Sequence, residues 1–233
     1  MARYTESDQG KQRDRNEDYT YSFKLDDVFG LVVADGLGGH NAGHIASETA
    51  VKTFGESFQQ LNAGALDAEA VRLSFEDAED PVHRKMDEQP DEYAGMGSTL
   101  VTAVIKDGNA LVGNAGDSRA YLIRGDEIRQ VTDDHVETHH HGMAGNLRNS
   151  THLYNVVGGR DNDIEVDVFD LELAQDDVLL LCTDGLTDEL SDRRIQTVVS
   201  KASSVRDAGR TLVNYANRSG GSDNITVALY APQ

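Results

Sequence analysis

Four aspartates, far apart in the chain, each lie at the edge of an apolar run with a glycine close by. They are Asp35 in GLVVADGLGGH, Asp117 in LVGNAGDSRAY, Asp184 in VLLLCTDGL and Asp223 in GGSDNITVALY. A carboxylate at the exit of a buried strand is held rigidly, and a neighbouring glycine lets backbone approach it closely. Several such carboxylates brought together would repel one another in a low-dielectric site unless cations sat between them. All-oxygen ligands suit hard divalent ions, Mg²⁺ or Mn²⁺. The pattern therefore points to a carboxylate-bridged metal centre.

Each motif also has an ordinary reading. RDRNED at 13–18 sets two arginines before Glu17 and Asp18. The planar guanidinium of Arg13 suits a phosphate, and the acids can reach a metal or its waters. The same run also reads as a charged, solvated turn. VVADGLGGHNAGHIAS at 32–47 delivers Asp35 from an apolar strand. Gly36, Gly38 and Gly39 then precede a helix whose N-terminus adds positive potential. It lacks the Lys-Ser/Thr of a P-loop and the spacing of a dinucleotide fingerprint. Asp117 and Asp223-Asn224 are also consistent with turn acids that bond their own backbone. Asp188 reads as a cap or a solvated acid, and Cys182 as a small buried hydrophobe, not a nucleophile.

The elements that must position these residues follow from periodicity. Residues 18–24 and 28–34 read as a strand pair rich in aromatic and β-branched side chains. Helical spacing covers about 42–60 and about 67–88, the latter with Asp67 as cap and Pro81 as an expected kink. Four short strands follow at 98–105, 109–115, 118–124 and 127–131, punctuated by the glycines of 107–108, 115–117 and 125–126. Residues 133–160 have little periodicity and read as a long surface loop or flap. Strands resume at 164–171 and 177–183, helices at 191–202 and 204–218, and a last strand at 223–231. Helices between groups of hairpin-linked strands give an α+β class, with two mostly antiparallel sheets covered by helices in four layers.

The chain has 233 residues, one cysteine and three prolines. That length suits a single domain spanning 1–233, with no linker between halves and no internal repeat. A lone cysteine excludes an internal disulfide framework. The longest apolar run is too short for a bilayer and the N-terminus has no apolar signal core, so a cytoplasmic, monomeric protein is expected. Net charge is −20, from 41 acidic and 21 basic side chains. Such a surface repels nucleic acid and anionic lipid, and neither is expected as a partner.

Singly these motifs are ordinary; in this order they are not. RxxNED, VADGxGGH, GxGSTL (Gly95–Leu100), GDSRAY, TxDH (Thr132–His135), LLCTDGL and SDNITV resemble the successive motifs of the metal-dependent Ser/Thr protein phosphatases of type 2C, in their compact bacterial form. The resemblance spans nearly the whole chain. It implies that Asp35 bridges two Mn²⁺ or Mg²⁺ ions, with the Gly36 carbonyl as a further ligand. Asp184 and Asp223 would hold the first ion, and Glu17 and Asp18 would act on the second. Asp117, with Asp184, would form a third, weaker site. Arg13 would bind the substrate phosphate and Asn224 would support its neighbours. Two metals roughly 3.5–4 Å apart make hydroxide from a bound water at neutral pH, and no phospho-enzyme is needed. His40 is the nearest candidate in sequence for protonating the leaving oxygen, with a metal-bound water as its competitor.

The chain also departs from the family. Leu37 follows the DG where some members carry His. His44 stands where relatives commonly carry Glu, and Val136 where Ser is usual. The flap carries His139, His140 and His141, too closely spaced for one tetrahedral site and expected as a solvated run. The implied partners are phosphoproteins made by a bacterial Ser/Thr kinase. The rival readings are a phosphatase for small phosphate esters and a non-catalytic phosphoprotein-binding module of the same fold. Loss of a metal aspartate would mark the latter, and Asp35, Asp184 and Asp223 are all present.

Overall fold

The computed structural model describes residues 2–38, 42–61, 66–141, 148–159 and 164–232, with backbone only over 139–141 and 148–151. The chain begins with β1 (Ala2–Asp8), β2 (Tyr19–Leu25), β3 (Val28–Ala34) and the two-residue β4 (Gly36–Leu37). Helices α1 (Ala42–Leu61), α2 (Ala68–Glu88) and α3 (Pro90–Tyr93) follow. Next come β5 (Gly97–Ser98), β6 (Leu100–Lys106), β7 (Asn109–Ala115), β8 (Arg119–Arg124) and β9 (Glu127–Gln130). After β10 (Val136–His141), β11 (Arg148–Leu153), β12 (Asp167–Glu172) and β13 (Asp177–Cys182), the chain closes with α4 (Asp184–Thr187), α5 (Asp192–Lys201), α6 (Val205–Ser219) and β14 (Ile225–Ala231).

Two five-stranded antiparallel sheets form the centre, in the orders β1-β14-β13-β8-β9 and β12-β7-β6-β3-β2. Their central strands are apolar on both faces because both faces are buried. Val28, Val32 and Ala34 of β3 face the helix side, packing with Phe54, Phe58 and Phe75 of α1 and α2. Leu31 and Val33 of the same strand point the other way, to a core between the sheets shared with Leu179, Leu181, Ala228 and Tyr230. Leu180 and Cys182 of β13, with Val227 and Leu229 of β14, face Ile195 and Leu212 of α5 and α6. The order of layers is helices, sheet, sheet, helices, as the sequence implies.

Several boundaries agree closely: β3 and β7 fall on the expected residues, and Asp67 caps α2 by accepting from the Glu69 amide at 3.0 Å. Helix α2 runs through Pro81 to Glu88, the span expected. Two features differ. The expected loop 133–160 contains a hairpin, β10 with β11, registered from Val136 opposite Leu153 to His141 opposite Arg148. Strand β1 was not expected at all; its charged alternation hides an edge strand that pairs with β14 from Ala2–Ala231 to Asp8–Ile225. No described helix is long and apolar enough to cross a membrane.

Candidate active site

The ends of the two sheets bring the carboxylates together. Asp18 opens β2, Asp35 follows β3, Asp117 lies in the β7–β8 turn, Asp184 starts α4 and Asp223 precedes β14. Burial raises the Asp35 pKa well above the ordinary range, and the charges of Asp18, Asp184, Asp223 and Asp117 raise it further. Asp35 is half-buried. Burial likewise lifts Asp184 and Asp18, each to about 7, and the charges of Asp117 and Asp223 lift Asp184 further. Carboxylates placed so that each raises the next call for protons or cations between them.

Backbone and hydroxyl groups hold these acids in place. The Asp35 amide donates to Thr99 Oγ1 at 2.9 Å, and its carbonyl accepts from the Thr99 amide and from Ser98 Oγ. Thr99 Oγ1 also meets Ser118 Oγ at 2.7 Å, which ties the Asp35 segment to the turn carrying Asp117. Thr183 Oγ1 donates to Asp18 Oδ2 at 2.9 Å, leaving Asp18 Oδ1 buried and without a partner. Asp184 Oδ1 is orphaned in the same way. Buried carboxylate oxygens are costly to leave unpaired, and these two fit a cation.

The start of α1 lies close against the residues that follow β3. A Cβ on Gly43 of α1 would lie 2.6 Å from the Gly36 carbonyl oxygen and 2.9 Å from the Glu17 carboxyl carbon. Only a glycine lets the helix lie against Gly36 and Glu17. On the far side, Asn224 fastens the N-terminal segment. Its amide nitrogen donates to the carbonyls of Gln9 and Arg15, and its oxygen accepts from the Glu17 amide, each at 2.8 Å. Arg13, about half exposed, donates through Nη2 to Asp223 Oδ2 at 2.5 Å. Burial lifts the Glu17 carboxyl pKa, with Arg13 opposing.

The expected residues Glu17, Asp18, Asp35, Gly36, Asp117, Asp184, Asp223 and Arg13 thus lie in one neighbourhood. His40 lies outside the described residues, as do the side chains of His139, His140 and His141. Among the described residues, no three Asp, Glu, His or Cys side chains close into a ready-made cage. Arg13 neutralises Asp223. The donor set still fits hard divalent ions: every ligating atom is oxygen, two of the oxygens are orphaned, and the cluster has raised pKa values.

Sequence reasoning overlooked how the flap base is secured. His135 is buried, and its Nδ1 accepts from the Gly116 amide at 3.3 Å and from Asn155 Nδ2 at 2.6 Å. Asn155 is oriented by Glu165, whose amide donates to its oxygen and whose carbonyl accepts from its nitrogen. With Nδ1 an acceptor, the ring carries its proton on Nε2, which donates to Asp167 Oδ2 at 2.9 Å. Arg119 grips Asp134 with three bonds of 2.6–3.1 Å. The polar run TDDH after the short strand β9 was the available signal. A cleft of about 460 Å³, a size that accepts a small ligand, is lined by Asp117, Arg119, Asp134 and Asp184, with Val136 and Leu153 at the hairpin base.

The family model for protein phosphatase 2C matches residues 9–229. Protein phosphatase PhpP of Streptococcus pneumoniae is 36% identical over 234 aligned positions, covering 96% of this chain and 94% of that protein. The Mycobacterium tuberculosis serine/threonine phosphatase PstP/Ppp superposes with a TM-score of 0.84 at 25% identity, covering 100% of this chain and 98% of that one. The catalytic domain of PstP in complex with two manganese ions gives a TM-score of 0.81 at 26% identity, over 98% and 96% of the two chains.

Proposed function

The chain belongs to the protein phosphatase 2C family, and we propose that its clustered carboxylates are the metal site of a phosphatase acting on proteins. The protein hydrolyses phosphoserine and phosphothreonine esters with a dinuclear Mn²⁺ or Mg²⁺ centre, as its named relatives and the manganese-bound neighbour support. When bound, the metal pair supplies an activated water and neutralises phosphoryl charge. Asp35 and the Gly36 carbonyl would hold the metal pair together with Asp184 and Asp223 on one side and Asp18 and Glu17 on the other. Asp117, with Asp184, would offer a third, weaker position.

Arg13 moves from Asp223 onto the substrate phosphate, where its fork of donors stabilises charge on the equatorial phosphoryl oxygens. His40 remains the candidate donor to the leaving oxygen. Asn224 sets the reach of Arg13 and Glu17 by holding the carbonyl of Arg15 and the amide of Glu17. The whole chain acts as one catalytic domain, as a cytoplasmic monomer opposing a Ser/Thr kinase.

The observation that carries the reading is the pair of buried, orphaned oxygens of Asp18 and Asp184 within the cluster of carboxylates at the sheet ends. The test is phosphate release from a phosphothreonine peptide in EDTA, then with Mn²⁺ restored. Release should require Mn²⁺ and disappear in Asp184→Asn. Release that survives EDTA, or an Asp184→Asn protein as active as the parent, would remove the metal site from the mechanism.

A further inference from the structure

The two outer helical layers carry opposite charge. Helices α1 and α2 have nine Asp and Glu against four Lys and Arg, matching the acidic chain as a whole. Helices α5 and α6 have Arg193, Arg194, Lys201, Arg206, Arg210 and Arg218 against only Asp192 and Asp207. All six cations are exposed, and among the described residues none forms an ion pair with a carboxylate. The two acids are already engaged. Asp192 accepts from the Tyr121 hydroxyl, and Asp207 accepts from the Ser203 amide and hydroxyl.

Six uncompensated cations on one face of a chain with net charge −20 are the only described helical surface that would attract an anion; the rest repels it. The helices also leave a groove between them. It is lined by Arg194, Lys201, Asp207, Thr211 and Tyr215, with Arg194 stacked 4.4 Å from the Tyr215 ring centroid. Stacking on Tyr215 holds the Arg194 guanidinium in place, Asp207 is engaged by Ser203, and Thr211 adds a hydroxyl.

We infer that the α5–α6 groove docks an acidic segment of the phosphoprotein substrate, away from the residue being dephosphorylated. A bilayer is disfavoured by two observations. The exposed large hydrophobics, Tyr21, Leu61, Leu73 and Tyr154, all lie off these helices, so nothing here inserts into lipid. The site is also a groove and not a flat face. A second copy of the chain is disfavoured because two molecules of charge −20 repel. Docking raises the effective concentration of the phosphorylated segment at the cleft, which lowers KM and leaves the chemical step alone. That consequence rests on the phosphatase reading; binding itself does not.

The test combines binding and turnover in Arg194→Glu/Lys201→Glu, with Arg193→Glu/Arg218→Glu as a second pair that leaves the Tyr215 stack intact. Thermal melts check folding. A fluorescein-labelled oligo-glutamate peptide without phosphate should bind the parent, weaken as salt shortens the screening length, and lose about tenfold in affinity in either pair. KM for an acidic phosphoprotein should rise by a similar factor, while turnover of p-nitrophenyl phosphate stays unchanged. Unaltered peptide binding in both folded variants would overturn the proposal. So would binding to phosphatidylglycerol vesicles but not to the peptide, or self-association that the substitutions abolish. Loss of p-nitrophenyl phosphate turnover in the parent itself would refute the catalytic reading and leave the binding result standing.

Discussion

At the scale of single residues, the site is a set of groups each held by something outside it. Arg13 is the clearest case. Its partner here is Asp223, and the proposed phosphate-binding role requires its release when metal takes the carboxylate. Arg13→Ala should lower kcat/KM on phosphopeptides by about 10²-fold, the usual cost of losing one charge-stabilising donor, with Mn²⁺ affinity nearly kept; steady-state kinetics and metal titration separate the two. His135 acts through neighbours. Removing its ring strands the Gly116 amide and Asn155, each a buried group costing about 1–3 kcal/mol when unpaired. His135→Ala should therefore lose about 2–4 kcal/mol in denaturant unfolding. His135→Asn keeps an acceptor near Nδ1 and should recover part of it.

At the scale of elements, two glycines let segments close on the acids. Gly185 in α4 lies against the next strand entry, where a Cβ would stand 2.0 Å from the Asn224 carbonyl oxygen. Gly185→Ala must push α4 off the 223–224 turn and move Asp184 away from Asp223. It should cost more than about 2 kcal/mol, as overpacking against backbone does, and weaken Mn²⁺ binding; calorimetric titration reads the second effect. Strand β13 shows why a continuous apolar run ends in function. Leu179, Leu180, Leu181 and Cys182 bury both faces, and the first polar residues after them, Thr183 and Asp184, emerge at the sheet end. The burial that pushes the Cys182 thiol up to about 12 also keeps it from acting as a nucleophile.

At the scale of the molecule, the acid cluster is a store of repulsion. Asp18 and Asp184 titrate near 7 in the folded protein against an ordinary 3.8. A carboxyl with a raised folded-state pKa keeps its proton longer when folded. Between those values the folded state binds more protons than the unfolded, so stability falls as pH rises through the window. Melting of EDTA-treated protein should drop in temperature from pH 5 toward pH 8, on the order of a few degrees. Saturating Mn²⁺ should flatten that slope, because the ion replaces the proton, and raise stability by about 4 kcal/mol at a thousandfold excess over Kd. A metal-free protein equally stable across that range would contradict the proposed clustering.

Much of this was legible from the chain. Periodicity marks β3, β7, α1 and α2 because each buries a face whose spacing matches its own geometry. The aspartates announce themselves because a charged residue directly after a buried strand has few other uses. Strand β1 was not legible: Arg3, Thr5 and Ser7 alternate with Tyr4 and Glu6, and an edge strand needs only its partner β14 to form. Nor was the hairpin β10–β11, whose polar residues carry no apolar period. The residue types and their order determined the family, the oxygen-only chemistry and the layered class, since those depend on local pattern. Only tertiary structure decided that Asp35, Asp184 and Asp223 converge at the sheet ends, that Arg13 rests on Asp223, that His135 locks the flap base, and that the cations gather on the α5–α6 layer. Those contacts join residues dozens to hundreds of positions apart, and sequence spacing carries no measure of the distance that folding closes.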